Sequence, residues 1–328
     1  MEDVRIPEIR IIKNKTPIIY LDTNILIGLS RYARGCCTDV YCYEIGKLYD
    51  TLSSLMREKQ ILCASGNQYE EMGASCGREN ARNFLFQFAN LEFSYPSQIE
   101  NMQLKSGYRA FVNNETTNVF NVNDIINEVL RVANTSIEIR TLRTHSKEQT
   151  EILVKEKQEL ATKLNNLKNS VSIKYEDRLS SEYESDSQVF RYKLNHCEDS
   201  IDDYANFIDE LGRVYCCVGM NFDNASQSDK IKAIEDYDRF LLSPYHHGLP
   251  YVQIRSVLFA HLMNRQNKVK SSDNLDIKWA SAYLPFVDYA ITDDSFCRLL
   301  NQSELAKKYR TAVYSLKNLS EFFNELQK

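Results

Sequence analysis

Glycine and proline are scarce in this chain, with 10 and 6 occurrences in 328 residues. Few tight turns can be built from so few of them, which disfavours a β-sandwich and favours a helix-rich protein. No uninterrupted apolar run approaches the ~18 residues that a membrane-spanning helix needs. The first residues also lack the basic-then-apolar order of a signal peptide. We therefore expect a cytoplasmic protein without a membrane segment.

Cysteine is present but lacks the spacing of a zinc site. The nine cysteines are an odd number and include no Cys-x-x-Cys pair, so they are best explained as reduced thiols. The chain also lacks a basic excess, because its net charge is -5. A nucleic-acid-binding function would therefore need a local basic face. Part of the acidic excess could be carboxylates that bind a cation.

The hydrophobic pattern predicts strands that alternate with helices near both ends of the chain. Predicted strands lie at 18–21, 61–65, 91–95, 288–292 and 311–316, and predicted helices lie at about 40–59, 67–90, 251–263 and 276–284. This alternation implies a parallel sheet with helices on both faces.

The middle of the chain has a different pattern, in which we predict no strand from 98 to 245. Leu153, Leu160 and Leu167 are spaced a heptad apart, which is typical of a helical hairpin or a short coiled coil. We therefore predict a discontinuous α/β domain, 1–97 and 246–328, interrupted by an all-helical insertion at 98–245. The insertion could form a homo-oligomer, bind a partner protein or cover a crevice.

Acidic residues follow or precede the predicted strands at matching positions. They are Asp22 after the first strand, Glu70 and Glu71 after the second, Asp276 at the start of a helix, and Asp293 and Asp294 after the fourth strand. In a parallel sheet these positions meet at one edge. Clustered carboxylates repel one another unless one or two hard divalent cations neutralise them. The pattern therefore predicts a site for Mg²⁺ or Mn²⁺.

Each acid taken alone has a simpler interpretation. Asp22, Asp276 and either Asp293 or Asp294 could simply be helix caps. Glu70 and Glu71 could be surface residues in the first turn of a helix. Four separate segments that bring an acid to one edge favour the metal site.

The stretches YLDTNIL, ILCASGNQYEEM and NLDIKWASAYLPFVDYAITDDSF resemble the three acidic motifs of PIN-like domain nucleases. The resemblance covers about 17–95 and 250–318. It implies a three-layer α/β/α fold whose acidic cluster holds Mg²⁺ or Mn²⁺ and cleaves phosphodiesters, most often in RNA. The long insertion departs from compact family members, so their substrates and partners are not carried over.

The resemblance also implies roles for single residues. The acids of the motifs match Asp22, Glu71 with Glu70 as its neighbour, Asp276, and Asp293 or Asp294. Thr23 and Asn24 match the polar pair that orients the first acid, and Thr292 matches the residue before the last acid.

We expect a metal-dependent endoribonuclease that acts without a covalent nucleophile. One metal would be held by Asp22, Asp276 and Asp293 or Asp294, and a second could be bound through Glu71. A DNA endonuclease remains open, as does a catalytically silent PIN-like binding module that assembles through the insertion. A toxin or anti-phage role rests on analogy of fold alone.

Cations near the third motif are candidates for substrate binding. They are Arg255, Arg265, Lys268, Lys270 and Lys278. Tyr245, Tyr251 and Trp279 could stack on unpaired bases, although aromatic residues at helical spacing are more often core residues.

Overall fold

A computed structural model describes residues 7–38, 40–73, 78–127, 130–131, 138–139, 147–170, 173–221 and 224–326. Residue contacts divide the chain into two compact units. We call Ile11–Pro96, Asn121–Ser170 and Asn267–Lys328 the sheet unit, and Met1–Arg10, Ser97–Phe120 and Val171–Gln266 the helical unit.

The strands of the described residues are β1 (Glu8–Ile12), β2 (Ile18–Leu21), β3 (Leu62–Ser65), β4 (Leu91–Glu92), β5 (Thr117–Asn121), β6 (Leu130–Arg131), β7 (Glu138–Ile139), β8 (Tyr289–Ile291) and β9 (Ala312–Tyr314).

The α-helices of the same residues are α1 (Thr23–Ala33), α2 (Cys42–Arg57), α3 (Gln68–Gly73), α4 (Glu79–Phe88), α5 (Pro96–Val112), α6 (Lys147–Ser170), α7 (Tyr175–Asn195), α8 (Ile201–Val218), α9 (Gln227–Leu241), α10 (Pro244–His247), α11 (Pro250–Asn264), α12 (Asp273–Tyr283), α13 (Asp294–Gln302), α14 (Leu305–Lys308) and α15 (Leu319–Glu325). None of these helices is both long enough and apolar enough to cross a membrane.

The sheet unit contains a five-stranded sheet in the order β4-β3-β2-β8-β9. Every neighbouring pair in it is parallel. The five strands predicted from the sequence are the five strands of this sheet, which confirms an α/β protein with a parallel sheet. The central strand β2 is completely buried, because it has neighbours on both sides and helices packed over it.

Alternate side chains of β2 pack against different helices. Ile19 and Leu21 belong to a hydrophobic cluster that includes Leu48 of α2. Tyr20 points the other way and stacks on Trp279 of α12, with ring centroids 4.7 Å apart. Trp279 is fully buried, so it is a core residue and cannot stack on a base.

The helical unit has an aromatic core. Tyr108 of α5 lies edge-on to Phe240 of α9, with ring centroids 5.6 Å apart. Tyr245 and Tyr251 are buried in this unit, so neither presents an open face for a nucleic-acid base.

The sequence pattern predicted that the region 98–245 is all-helical, and this prediction is wrong. It contains β5, which pairs with β1, and the short antiparallel pair of β6 and β7. These strands are only two to five residues long, too short for a period of two to stand out. The sheet unit and the helical unit also have other boundaries than the predicted domains. Helix α6, which lies within the predicted insertion, belongs to the sheet unit, and α11, which lies outside it, belongs to the helical unit.

The predicted heptads lie on one continuous helix, α6. Leu160 and Leu167 are 39% and 47% exposed, so these two heptad positions are not buried in a coiled-coil seam within this chain. The α6 helix is instead tied to a loop of the sheet unit, since the Asn165 side chain accepts a hydrogen bond from the Val269 backbone N–H, 2.8 Å long.

Candidate functional site

Acidic residues from four segments line one cavity of about 410 Å³ in the sheet unit. We call it the acidic cavity, and its carboxylates are those of Asp22, Glu71, Asp276 and Asp293. Asp22 follows β2, and Asp293 follows β8. Their strands are adjacent and parallel, so both acids emerge at the same edge of the sheet.

Asp22 is held in place by hydrogen bonds on both of its carboxylate oxygens. Oδ1 accepts from the backbone N–H of Thr23, at 2.6 Å. Oδ2 accepts from the hydroxyl of Thr292, at 3.0 Å. Asp22 is also the N-cap of α1, so it caps a helix and lines the acidic cavity at the same time.

The environment of Asp22 opposes its ionisation. The residue is 3% exposed. Burial, and next the negative charge of Glu71, raise the pKa of Asp22 to about 7, although the Thr292 hydrogen bond acts in the opposite direction. A carboxylate in this situation favours any cation that enters the cavity.

Glu71 is oriented by two polar neighbours. The Thr23 hydroxyl donates a hydrogen bond to Oε2, and the Asn67 amide donates one to Oε1 over 2.9 Å. Burial raises the pKa of Glu71, and the hydrogen bond from Thr23 and the charge of Lys157 partly offset that effect. The side chain of Glu70, the other predicted acid of this motif, lies outside the described residues.

Asp276 lies in the first turn of α12, which begins three residues earlier at Asp273. Its side chain faces the same group of carboxylates. Burial, followed by the charges of Asp22, Glu71 and Asp293, raises the pKa of Asp276 well above its usual value.

The structure separates the two adjacent acids after β8. Asp293 lines the acidic cavity and also caps α13, because Oδ1 accepts from the Ser295 and Phe296 backbone N–H groups at 2.8 and 3.1 Å. Asp294 instead forms ion pairs with Arg298 and Lys317, at 2.8 and 2.9 Å. The pattern could not choose between them, and the geometry favours Asp293.

Basic side chains also line the acidic cavity, and most of them were not predicted. Lys157 comes from α6, Arg78 precedes α4, and Lys270 precedes α12. Only Lys270 belongs to the predicted substrate-binding set. Lys157 was missed because the charged residues of α6 have the composition of an ordinary solvated helix face.

The other predicted cations do not line this cavity. Arg255 and Arg265 belong to the helical unit. Arg255 forms ion pairs with Asp186 and with Glu100, the latter at 3.4 Å, so its guanidinium already has anionic partners. Lys268 and Lys278 belong to the sheet unit but are not among the residues that line the cavity.

The supporting residues of the first motif have separable roles. Thr23 bonds both acids, through its N–H to Asp22 and its hydroxyl to Glu71. Asn24 is exposed and lines the cavity without a described bond to either acid. Thr292 bonds Asp22 directly, a contact that its position in the motif did not reveal.

The donor set fits a hard divalent cation by its chemistry. Its ligands would be carboxylate oxygens, which Mg²⁺ and Mn²⁺ prefer, and no His or Cys is among the lining residues of the described chain. However, no group of three or more His, Cys, Asp or Glu residues in the described ranges is arranged to hold a metal ion. The oxygens of Asp22 and Glu71 accept hydrogen bonds from protein groups and retain further lone pairs. A cation would need these side chains to turn those lone pairs towards one point.

Comparison with known proteins yields no relative for this chain, because no protein-family model, curated protein or solved structure matches it. Membership of the PIN-like nucleases therefore stays a prediction from three motifs, and the function must be argued from the site.

Proposed function

We propose that this protein is a metal-dependent nuclease that hydrolyses phosphodiester bonds, with RNA as its preferred substrate and Mg²⁺ or Mn²⁺ as its cofactor. The observation that carries the proposal is the acidic cavity, in which Asp22, Glu71, Asp276 and Asp293 converge from separate segments. The preference for RNA comes from the motif resemblance alone. The side chains of β2, which pack against helices in opposite directions, support the three-layer arrangement that the resemblance implies.

Mutual repulsion is the physical reason to expect a cation. Asp22 and Asp276 each experience the negative charges of Glu71 and Asp293, in addition to burial. A protein without a cation gains nothing from this arrangement, since each buried carboxylate costs free energy. Asp22, Asp276 and Asp293 are the residues that would hold the ion. When bound, the ion would supply Lewis acidity, by neutralising phosphate charge and lowering the pKa of a bound water.

The side chains of the cavity also supply the other parts of a hydrolysis. A water molecule would add to the phosphorus, the bond to one bridging oxygen would break, and that oxygen would leave as an alkoxide that takes a proton from solvent water. Glu71, whose pKa is raised, is suited to accept the proton that the attacking water loses. Lys157 and Lys270 line the same space and can bind the nonbridging phosphate oxygens.

The adjacent acids Asp293 and Asp294 provide a matched test. The full chain would be incubated with labelled RNA and labelled DNA, in Mn²⁺, Mg²⁺ or EDTA, beside Asp293→Asn and Asp294→Asn. We expect cleavage that needs the metal, is lost in Asp293→Asn and persists in Asp294→Asn. Asparagine caps helices about as well as aspartate, so Asp293→Asn should fold. Asp294→Asn loses only ion pairs with the exposed side chains of Arg298 and Lys317, which contribute little to stability.

Other results would replace the proposal. Faster cleavage of DNA than of RNA would make the protein a DNA endonuclease. Binding of nucleic acid without cleavage under any metal condition would make it a binding module. Equal activity of wild type and Asp293→Asn would remove the acidic cavity from the chemistry.

A further inference from the structure

Helix α8 of the helical unit is apolar on two different faces. One face is buried and includes Val214 and Cys217. The other face repeats apolar residues at alternating intervals of three and four along the whole helix, which is the spacing of a coiled-coil seam. We call this face the α8 strip, and it consists of Ile201, Tyr204, Ile208, Leu211, Tyr215 and Val218. A helix with a second apolar face of this kind is typically covered on that face as well.

The α8 strip is open to solvent, most of all near the start of the helix. Ile201, Tyr204 and Ile208 are 85%, 55% and 45% exposed, and the other three strip residues are half-buried. Neighbouring strip residues are three or four positions apart, so they adjoin one another on the helix surface. Single exposed apolar residues are normal, whereas a contiguous apolar patch marks an interaction site.

The order of residue types in the α8 strip is the same from either end: aliphatic, tyrosine, aliphatic, aliphatic, tyrosine, aliphatic. Two copies of α8 can therefore lie antiparallel across a two-fold axis between Ile208 and Leu211. Tyr204 would then oppose Tyr215 of the second copy, and Ile208 would oppose Leu211. A two-fold contact between identical chains requires this kind of self-complementary surface.

Small residues border the α8 strip on one side. Ala205 and Gly212 are a heptad apart and exposed. Glycine inside a helix costs about 1 kcal/mol relative to alanine. The fold of one copy does not require it, because a Cβ built on Gly212 has no neighbour within 4 Å among the described residues, apart from the backbone of α8. The close approach of a second helix backbone gives this glycine a role.

The exposed area is sufficient for a weak dimer. Each α8 strip exposes on the order of 400 Å² of apolar surface. Two strips, together with the polar residues that flank them, reach the ~1,200 Å² at which specific interfaces begin. An interface at this lower limit predicts a dimer that dissociates at micromolar concentrations.

From the spacing, exposure and symmetric order of the α8 strip we infer that the protein forms a homodimer in which two α8 helices pack antiparallel. The symmetric order identifies a second copy as the partner, because an unrelated helix would not require it. The inference goes beyond the proposed nuclease function and does not depend on it, since all the residues that support it belong to the helical unit.

The test measures the oligomeric state of the full chain by sedimentation equilibrium, in EDTA and without nucleic acid. Ile208→Glu is compared with Ile231→Glu, which changes an isoleucine of α9 in the same unit that is 50% exposed. We expect a wild-type dimer that Ile208→Glu weakens at least about tenfold, because a charge in an apolar seam is costly. Ile231→Glu should associate like the wild type. A monomer at every concentration, or equal dissociation constants for the wild type and Ile208→Glu, would overturn the inference.

Gly212→Leu separates a loss of pairing from a loss of folding. Leucine has a higher helix propensity than glycine, so the dilute, monomeric variant should melt at or above the temperature of the wild-type monomer. Its dimer should nevertheless be at least about tenfold weaker, because the leucine side chain holds the two helix backbones apart. Dimerisation as tight as that of the wild type would overturn the proposed packing.

A pair of double variants tests the antiparallel orientation, in which position 201 opposes position 218 of the second copy. Ile201→Glu/Val218→Lys brings opposite charges together at both ends of the seam, whereas Ile201→Glu/Val218→Glu brings like charges together. The first variant should dimerise at least about tenfold more tightly than the second. In a parallel pair both variants place like charges opposite each other, so equal dimerisation would overturn the antiparallel arrangement.

Discussion

The hydroxyl of Thr292 donates a 3.0 Å hydrogen bond to Asp22, a residue 270 positions away in the sequence. The bond joins the ends of the central strand β2 and its parallel neighbour β8. Because Thr292 is fully buried, water cannot replace its hydroxyl. This hydrogen bond makes the orientation of the first acid depend on the last motif.

Thr292→Val should therefore weaken metal binding on the order of ten- to a hundredfold, as loss of a bond to a ligand residue does elsewhere. It should also raise the pKa of Asp22 further, since this hydrogen bond favours the ionised form. The acid limb of the pH–rate profile would then move to higher pH. Thr292→Ser keeps the hydroxyl and should behave like the wild type, and equal profiles for the two variants would remove the role assigned to this bond.

Asp22→Asn should change the pH dependence of stability in the absence of metal. The folded-state pKa of Asp22 is raised from 3.8 to about 7, so between those values the folded state holds a proton that the unfolded state has released. Stability therefore falls as pH rises through that window, and Asp22→Asn removes this contribution. In EDTA, the variant should melt at a higher temperature than the wild type near pH 8.

Addition of Mn²⁺ should reverse that order. A cation that binds only the folded state raises the melting temperature in proportion to the logarithm of its concentration over Kd. The wild type should gain stability, and Asp22→Asn should gain little. A wild type whose melting temperature is the same in Mn²⁺ and in EDTA would contradict the metal site.

Lys157 links α6 to the chemistry, because its charge lowers the pKa of Glu71. Lys157→Gln should raise that pKa, so that the acid limb of the pH–rate profile moves to higher pH and activity falls most at acidic pH. Lys155→Gln is the matched control on the same helix, since Lys155 forms an exposed ion pair with Glu159 at 3.7 Å. Identical profiles for both variants would show that α6 contributes no charge to the site.

Arg255→Met should affect stability and leave substrate binding unchanged. Its guanidinium pairs with Asp186 and Glu100 within the helical unit, and removing it leaves two partly buried carboxylates without that partner. We expect a loss of about 1–3 kcal/mol in the free energy of unfolding. Arg191→Met, which breaks an exposed pair with Asp238, should cost less. Weaker oligonucleotide binding by a folded Arg255→Met protein would restore Arg255 as a substrate-binding residue.

The sheet was predictable because its strands carry strong local signals. Short apolar runs such as Ile18–Leu21 are bounded by turns and alternate with amphipathic helices, and buried parallel strands have that composition. The edge at which the acids gather was predictable for the same reason, since strands that run in parallel end together. The unpredicted pairing of β5 with β1 joins two short segments distant in sequence, for which no local period exists.

The sequence by itself determined that Asp22, Glu71, Asp276 and one acid of the Asp293–Asp294 pair belong at one edge of a parallel sheet, because strand direction and helix position follow from local patterns. Only the tertiary structure decided that Asp293 lines the acidic cavity while Asp294 forms ion pairs with Arg298 and Lys317. The same holds for the cations, since Arg78 and Lys157 reach the acids through packing between distant segments. A residue's charge can be read along the chain, but its electrostatic partners depend on distances in space, which long-range packing sets.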